Sequence, residues 1–389
     1  MMHRFNTKIA GLLCILFVSL GVYSFLNSTQ NAGDIVWKYK IGNQLWAPLK
    51  YDRGILYFGC DDMNFYAFNT ATQKIRWKFE TNGIIRSAAD ITEGMAVFAS
   101  DDGFLYALNI NSGKEIWRFN LHSSTIARRL PAPDPPFEYD YLHSSPVYHN
   151  GIIYVGSANG MLYAVDHKSG KELWHFKTNK KIRSTPLVYK DYIYFGSWDG
   201  NVYAVKANNG QEVWKFDCGG IIQCSPAVGD GKIFVGSRST KIFALDAETG
   251  EQKWMYIHKD GSWVESSPVF HDGVVYVGSS DALKLWAFDA TTGKILWVFK
   301  TGGWSWSKPV VENKVVYIGS ISAYPYYFEG VNLKAGFYAV DKKDGEKIWS
   351  MIPGKVEGYI TGGVFSTAEV ADGMVYICSI DGYLYAVKE

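Results

Sequence analysis

The sequence predicts an all-β chain: an eight-bladed β-propeller of four-stranded antiparallel blades, closed by an N-terminal strand that completes the last blade and preceded by one N-terminal hydrophobic helix. Three observations predict it. Tryptophan recurs at positions 37, 77, 117, 174, 214, 254, 297 and 349, at intervals of 40, 40, 57, 40, 40, 43 and 52 residues. Between successive tryptophans lie short alternating runs bounded by Gly, Asn or Asp, with no helical period after residue 34. The two ends of the chain are complementary, since the first unit opens with a spare tryptophan strand and the last lacks one.

The first element is a leader. Met1 to Lys8 carry His3, Arg4 and Lys8 and no acid, and Ile9 to Leu26 then run eighteen residues without a charge. A basic flank before an apolar run is an export signal, either a cleaved signal peptide or a retained signal anchor. Leu12-Leu13 precede Cys14 where lipid attachment needs small residues. Residues 1–33 are therefore read as leader and short linker, and 34–389 as the propeller. The expected location is exported, periplasmic or cell-surface, with a membrane anchor if the leader is retained.

Each unit then repeats four strands. One follows the tryptophan pattern of Trp214-Lys215-Phe216, and a Ser-Pro strand comes next, as in Ser184-Thr185-Pro186-Leu187-Val188. A third ends in Gly-Ser, as in Ile193-Tyr194-Phe195-Gly196-Ser197, and the fourth carries Tyr-Ala, as in Val202-Tyr203-Ala204-Val205. A unit of about 40 residues with four strands is a propeller blade, which must stack on neighbours to bury both faces. Pairing Asp34–Lys38 with Tyr385-Ala386-Val387 completes the eighth blade and removes an open edge.

Ala107–Trp117, Ala164–Trp174, Ala244–Trp254, Ala287–Trp297 and Ala339–Trp349 resemble the tryptophan-docking repeat of pyrroloquinoline-quinone (PQQ) type propellers, and the resemblance covers Asp34 to Glu389. It implies that Trp37, Trp77, Trp117, Trp174, Trp214, Trp254, Trp297 and Trp349 are structural, locking blade to blade with the small Ala and the Gly turn. In size, blade number and single-domain build the chain resembles the family's outer-membrane barrel-assembly propellers. The family's quinone dehydrogenases stack their cofactor on a disulfide between adjacent cysteines. This sequence has no Cys-Cys pair, and Cys218 and Cys224 stand six apart, free or bridged. No cofactor and no metal are therefore expected, with PQQ the one cofactor the resemblance leaves open.

Positions that fail to repeat are the candidates for function. Three residues before the Ser-Pro proline stand Leu45, Arg86, His143, Arg183, Gln223, Glu265, Trp306 and Phe365. On the innermost strands these ring the central channel, with Tyr141, Lys181, Trp263 and Trp304 two residues earlier extending the rim of the funnel. Two insertions fall on the same face: 17 extra residues within 122–140, and 12 around Ser322–Glu329. Their candidate contacts are Arg128, Arg129, Phe137 and Tyr139, and Tyr324, Tyr326 and Tyr327. The competing reading is that ring residues pair with one another, Glu265 with Arg183 or Arg86.

A net charge of +1 with no basic stripe excludes nucleic acid as a partner. The expectation is a non-catalytic exported scaffold that docks a protein, peptide or glycan on the insertion-bearing face, in envelope or outer-membrane protein assembly. The alternative is a PQQ-dependent or other small-molecule oxidoreductase. There Arg86, Arg183 and His143 would hold an acidic cofactor in the funnel and Glu265 would act as base.

Overall fold

The computed structural model describes residues 30–123, 128–133, 139–326 and 330–389. The predicted leader helix, Phe137 and Tyr327 lie outside the described residues. The rest is eight antiparallel sheets around a central channel, as the tryptophan spacing predicts. Blades one to eight are counted from their inner strands: Lys50–Asp52, Asp90–Thr92, Val147–His149, Leu187–Tyr189, Ala227–Gly229, Val269–His271, Val310–Glu312 and Glu369–Ala371. Inner strands are three residues long, whereas outer strands reach five to seven, because sheets crowd near the axis and splay outward.

Closure occurs where expected. Ile35–Lys40 is the outer strand of blade eight, running from Ile35 opposite Val387 to Lys40 opposite Tyr383. The seam is packed as well as hydrogen-bonded. Leu56, Phe58 and Phe68 of blade one share one apolar cluster with Tyr376, Cys378 and Ala386 of blade eight.

The repeat residues explain the stacking. In every blade an alanine of the third strand faces a tryptophan of the fourth, as Ala67 faces Trp77, Ala204 faces Trp214 and Ala386 faces Trp37. The small residue leaves the indole free to lie across the gap to the next blade. There it meets the next repeat's glycine turn: a Cβ on Gly113 would sit 2.6 Å from Trp77, and one on Gly250 2.7 Å from Trp214. Both glycines also adopt positive φ, so side chains are excluded twice over. Trp77, Trp117, Trp174, Trp214, Trp254 and Trp297 each donate Nε1–H to a backbone carbonyl of the following blade at 2.9–3.2 Å.

A second device repeats at the turn between strands two and three. Asp102, Asp199 and Asp381 each accept a backbone N–H two residues on and the hydroxyl of a tyrosine four residues on. These aspartates are turn formers and clamps. Cys60, Cys218, Cys224 and Cys378 are buried free thiols, so no bridge joins Cys218 to Cys224. Burial raises their pKa, which keeps them protonated and inert.

Candidate functional site: a capped mouth and a one-ended channel

Strand direction puts every connection after a second or a fourth strand on one face. Both insertions lie there, and so does a third that the tryptophan spacing conceals. Trp349 and Ala368 are 19 residues apart, whereas Trp77 and Ala89 are 12 apart. The extra residues form the strand Ile360–Gly363, which pairs with an extension of blade seven's second strand, Ile321 opposite Gly363 and Ala323 opposite Ile360. The three segments come from separate repeats and meet over one mouth.

The sequence reading placed the ring at the mouth of the central channel, and in the structure its residues are buried rather than solvated. Leu45, Arg86, His143, Arg183, Gln223, Glu265, Trp306 and Phe365 are all buried. The segment entering blade three crosses above them as a strap. Tyr141 donates to Glu265 of blade six at 2.7 Å, stacks on Trp306 of blade seven at 4.9 Å and meets Phe365 of blade eight edge-on. Trp304 also stacks on Trp306, at 4.6 Å, and Tyr326 of the second insertion meets Trp304 at 5.8 Å. Tyr326 also shares Asp281 with the Trp304 indole N–H. The rim candidates Tyr141 and Trp304, and Tyr139 of the strap, are thus buried members of an apolar lid with Trp46, Ile321 and Ile360. Trp263 remains half-buried, lying beneath the Arg238 guanidinium at 4.9 Å.

Charge at the mouth is paired, but not in the pairs the sequence suggested. Arg183 holds Asp140 of the strap through Nε at 2.7 Å and Nη2 at 2.8 Å, and Lys181 adds a third bond at 2.8 Å. Arg86 holds Asp61, at 2.9 Å from Nε, and lies over Trp46. Arg128 forks onto Asp101 and donates to the Leu142 carbonyl. Glu265 pairs with Arg238, at 2.5 Å from Nε, and also accepts from Gln223 at 3.1 Å. Burial favours a protonated Asp140, but the Arg183, Arg128 and Lys181 charges outweigh it and hold the carboxyl at about 2. Burial takes His143 the other way, down to about 4, so the imidazole is neutral and donates from Nδ1 to the Ser144 carbonyl.

Asp61, Asp101, Trp198 and Arg238 form a second ring that sequence reasoning missed. Each follows the Gly-Ser end of a second strand or its equivalent. Each also donates its backbone N–H to the segment leading into its own blade, as Asp101 does to Ile84 and Arg238 to Ile221. The signal was present: this position varies between units while the Gly-Ser before it repeats.

The capped face leaves large apolar side chains exposed among polar ones such as Arg129, Asn332, Lys355 and Glu357. Leu130, Tyr324, Val331 and Ile352 all belong to the three inserted segments, with Tyr324 71 % and Ile352 79 % exposed. Arg129 of the strap is exposed beside Leu130, whereas Arg128 is spent on Asp101. On the far side of the ring lies a channel of about 730 Å³. Its floor includes Arg183, Gln223 and Trp306, and its wall includes Ser225, Ser267, Lys308, Lys50 and Glu369. Lys50 and Lys308 are exposed on that wall. The channel is therefore stopped at one end and open at the other.

Docked tryptophans, glycine turns and a strand-exchanged closure define the class: an eight-bladed propeller of the PQQ type. The family model described as outer membrane protein assembly factor BamB matches residues 26–142, 105–214 and 198–323, and the chain belongs to that family. No curated protein matches the chain. Among solved structures it is similar to BamB from Moraxella catarrhalis, at 20 % identity over 74 % of this chain and 85 % of that one, with a TM-score of 0.62. It is also similar to the computationally designed Ika8 protein, at 15 % identity over 90 % of this chain and 97 % of that one, with a TM-score of 0.69.

Proposed function

We propose that the protein is an exported, non-catalytic scaffold that docks a protein partner on its insertion-bearing face during outer-membrane protein assembly. One observation carries this reading. Three segments from different repeats converge on a single face, and Leu130, Tyr324, Val331 and Ile352 stand exposed on them beside Arg129. Aromatic and aliphatic side chains held on a rigid base suit a protein or peptide better than a glycan, whose recognition would call on more polar groups. The buried ion pairs beneath act as struts, since they fix the strap that presents Leu130 and Arg129. Family membership supports the assembly role and an envelope location, with the leader either cleaved or retained as an anchor.

The oxidoreductase reading finds less support. Glu265, its base, is already bonded to Arg238, Gln223 and Tyr141. Adding PQQ and Ca²⁺ while following thermal unfolding and dye-linked alcohol oxidation tests it directly.

The docking test is site-specific photocrosslinking in intact envelopes. A photoreactive residue at Tyr324 or Ile352 is expected to capture a component of the assembly machinery, and one at Lys190 on the opposite face is not. Capture at Lys190 alone would place docking on the wrong face and overturn the proposal.

A further inference from the structure

The far side of the ring carries chemistry that neither the lid nor the docking face uses. At the channel floor three buried polar atoms have no partner among the described residues: Arg183 Nη1, Trp306 Nε1 and Gln223 Oε1. Their sister atoms are occupied on the other side. Arg183 presents Nε and Nη2 to Asp140, which turns Nη1 away from the strap, and Gln223 gives its amide nitrogen to Glu265. Leaving a buried donor or acceptor unmet costs folding free energy. Three at one cavity floor mark a place where another molecule's atoms would supply the partners.

The next layer of the wall is rich in donors. Ala88, Ser145, Thr185 and Ser225 send their backbone N–H groups to the hydroxyls of Ser145, Thr185, Ser225 and Ser267, one blade further round, at 2.9–3.1 Å. Each of these four hydroxyls accepts, and its own hydrogen has no acceptor among the described residues. Beside them stands Lys308, which forms no ion pair among the described residues, while Lys50 pairs with Glu369 at 3.5 Å. Enclosure by the channel walls lowers the Lys308 pKa, the Lys50 charge nearby adding to that and Glu369 opposing it.

The charge balance has a sign. Arg86, Arg128, Lys181, Arg183 and Arg238 face Asp61, Asp101, Asp140 and Glu265 at the mouth, leaving one cation over. Lys308 adds a further cation, which Asp90 on the same wall offsets, so the excess of one remains. We propose that the channel is a binding site for a small hydroxylated carboxylate, a sugar-acid-like anion that enters from the face opposite the insertions. Its carboxylate accepts from Arg183 Nη1 and Trp306 Nε1, its hydroxyl oxygens accept from the serine and threonine ladder, and one hydroxyl hydrogen goes to Gln223 Oε1. The cavity volume lies within the range of small-molecule sites. This site does not rest on the docking proposal, because it opens on the other face and uses different atoms.

The experiment is a titration of full-length protein carrying ¹⁵N-labelled tryptophan, following the Trp306 indole N–H signal assigned through Trp306→Phe. Glucuronate, glucose and acetate are the three probes: charge with hydroxyls, hydroxyls alone, and charge alone. Glucuronate is expected to move the signal saturably, and glucose and acetate to bind at least about tenfold more weakly. Lys308→Met, at an exposed and unpaired position, is expected to weaken glucuronate by about tenfold with unchanged melting, and Gln223→Met to weaken it further. No saturable shift up to about 10 mM glucuronate, or equal affinity in wild type and Lys308→Met, would overturn the site. Glucose binding as tightly as glucuronate would overturn its anionic character.

Discussion

The blade bodies and the capped mouth hold together by different means. Between blades the contacts repeat with one exception: an indole lies over a glycine turn of the next blade, opposite an alanine of its own. At the mouth the ring residue changes from each blade to the next, and the segments are joined by buried ion pairs between blades. Repetition makes the body redundant, because no single interface carries more than a fraction of the whole. The mouth is a single connected polar network, where loss of one member leaves its partners stranded in a place that water reaches poorly. Stability should therefore be lost globally from the body and locally from the mouth.

The hardest blow to the body is to open the ring. Deleting residues 34–40 removes the strand paired to Tyr383–Lys388 and exposes a blade edge along with one wall of the seam cluster. Loss of a single cooperative unfolding transition is expected in calorimetry, and an unchanged melt would show that the circle is not needed. Next is Trp214→Ala, which empties a fully formed interface and should cost about 3–5 kcal/mol. It should lower the midpoint of the whole propeller.

Asp140→Ala attacks the mouth. Removing the carboxylate strands Arg183 and Lys181, a loss of about 3–5 kcal/mol for a broken buried pair. Because the strap can detach while the blades remain stacked, faster amide exchange is expected at Tyr139–Leu142 and Arg183 with little change in the global midpoint. A global shift as large as that of Trp214→Ala would erase the distinction between the two regions.

Protonation offers a fourth probe, within the body. His258 is buried against Tyr256 and Trp286 with neither nitrogen hydrogen-bonded among the described residues, and burial lowers its pKa from 6.5 to about 4. The unfolded chain takes up the proton near pH 6.5 and the folded one only near 4. Its contribution is complete above the unfolded value and is lost as the pH falls through that window. Wild type should lose roughly 3 kcal/mol more than His258→Phe between pH 7 and pH 4, measured by urea unfolding at the two pH values.

The body was legible in the sequence because its physics recurs. A tryptophan that must reach a glycine in the next unit imposes its spacing on the chain, and the two unequal ends announced their own pairing. The third insertion was hidden by an accident of counting: the last unit lacks its outer strand, so Trp349 to Glu389 spans the same 40 residues as a regular interval. The ring positions were legible as positions, through their failure to repeat. Their partners were not. Asp140 meets Arg183 only because the strap folds inward, and Arg238 meets Glu265 across a blade boundary. No periodicity encodes contacts that each occur once. The burial of the ring was hidden for the same reason, since a segment long enough to reach the solvent is equally long enough to cross the mouth.

One interface of the body departs from the pattern and carries the smallest predicted effect. Trp37 of the closing strand faces blade one, whose turn has Gln73 at φ 52° where the other turns supply glycine. Trp37 makes no indole hydrogen bond to a backbone carbonyl among the described residues and is only half-buried, although it still packs on Phe68 and Tyr376. A glycine at 73 would relieve a left-handed non-glycine conformation, worth about 1–2 kcal/mol, and let the indole settle on the bare backbone. Against this, the unfolded chain gains freedom worth about 0.4–1 kcal/mol. The first effect should narrowly win, so Gln73→Gly is expected to stabilise by less than about 1 kcal/mol. The gain should disappear in a Trp37→Ala background if indole packing supplies it and persist there if backbone strain does. The two melts together therefore tell whether the seam is weaker than the other interfaces because of its turn or because of its tryptophan.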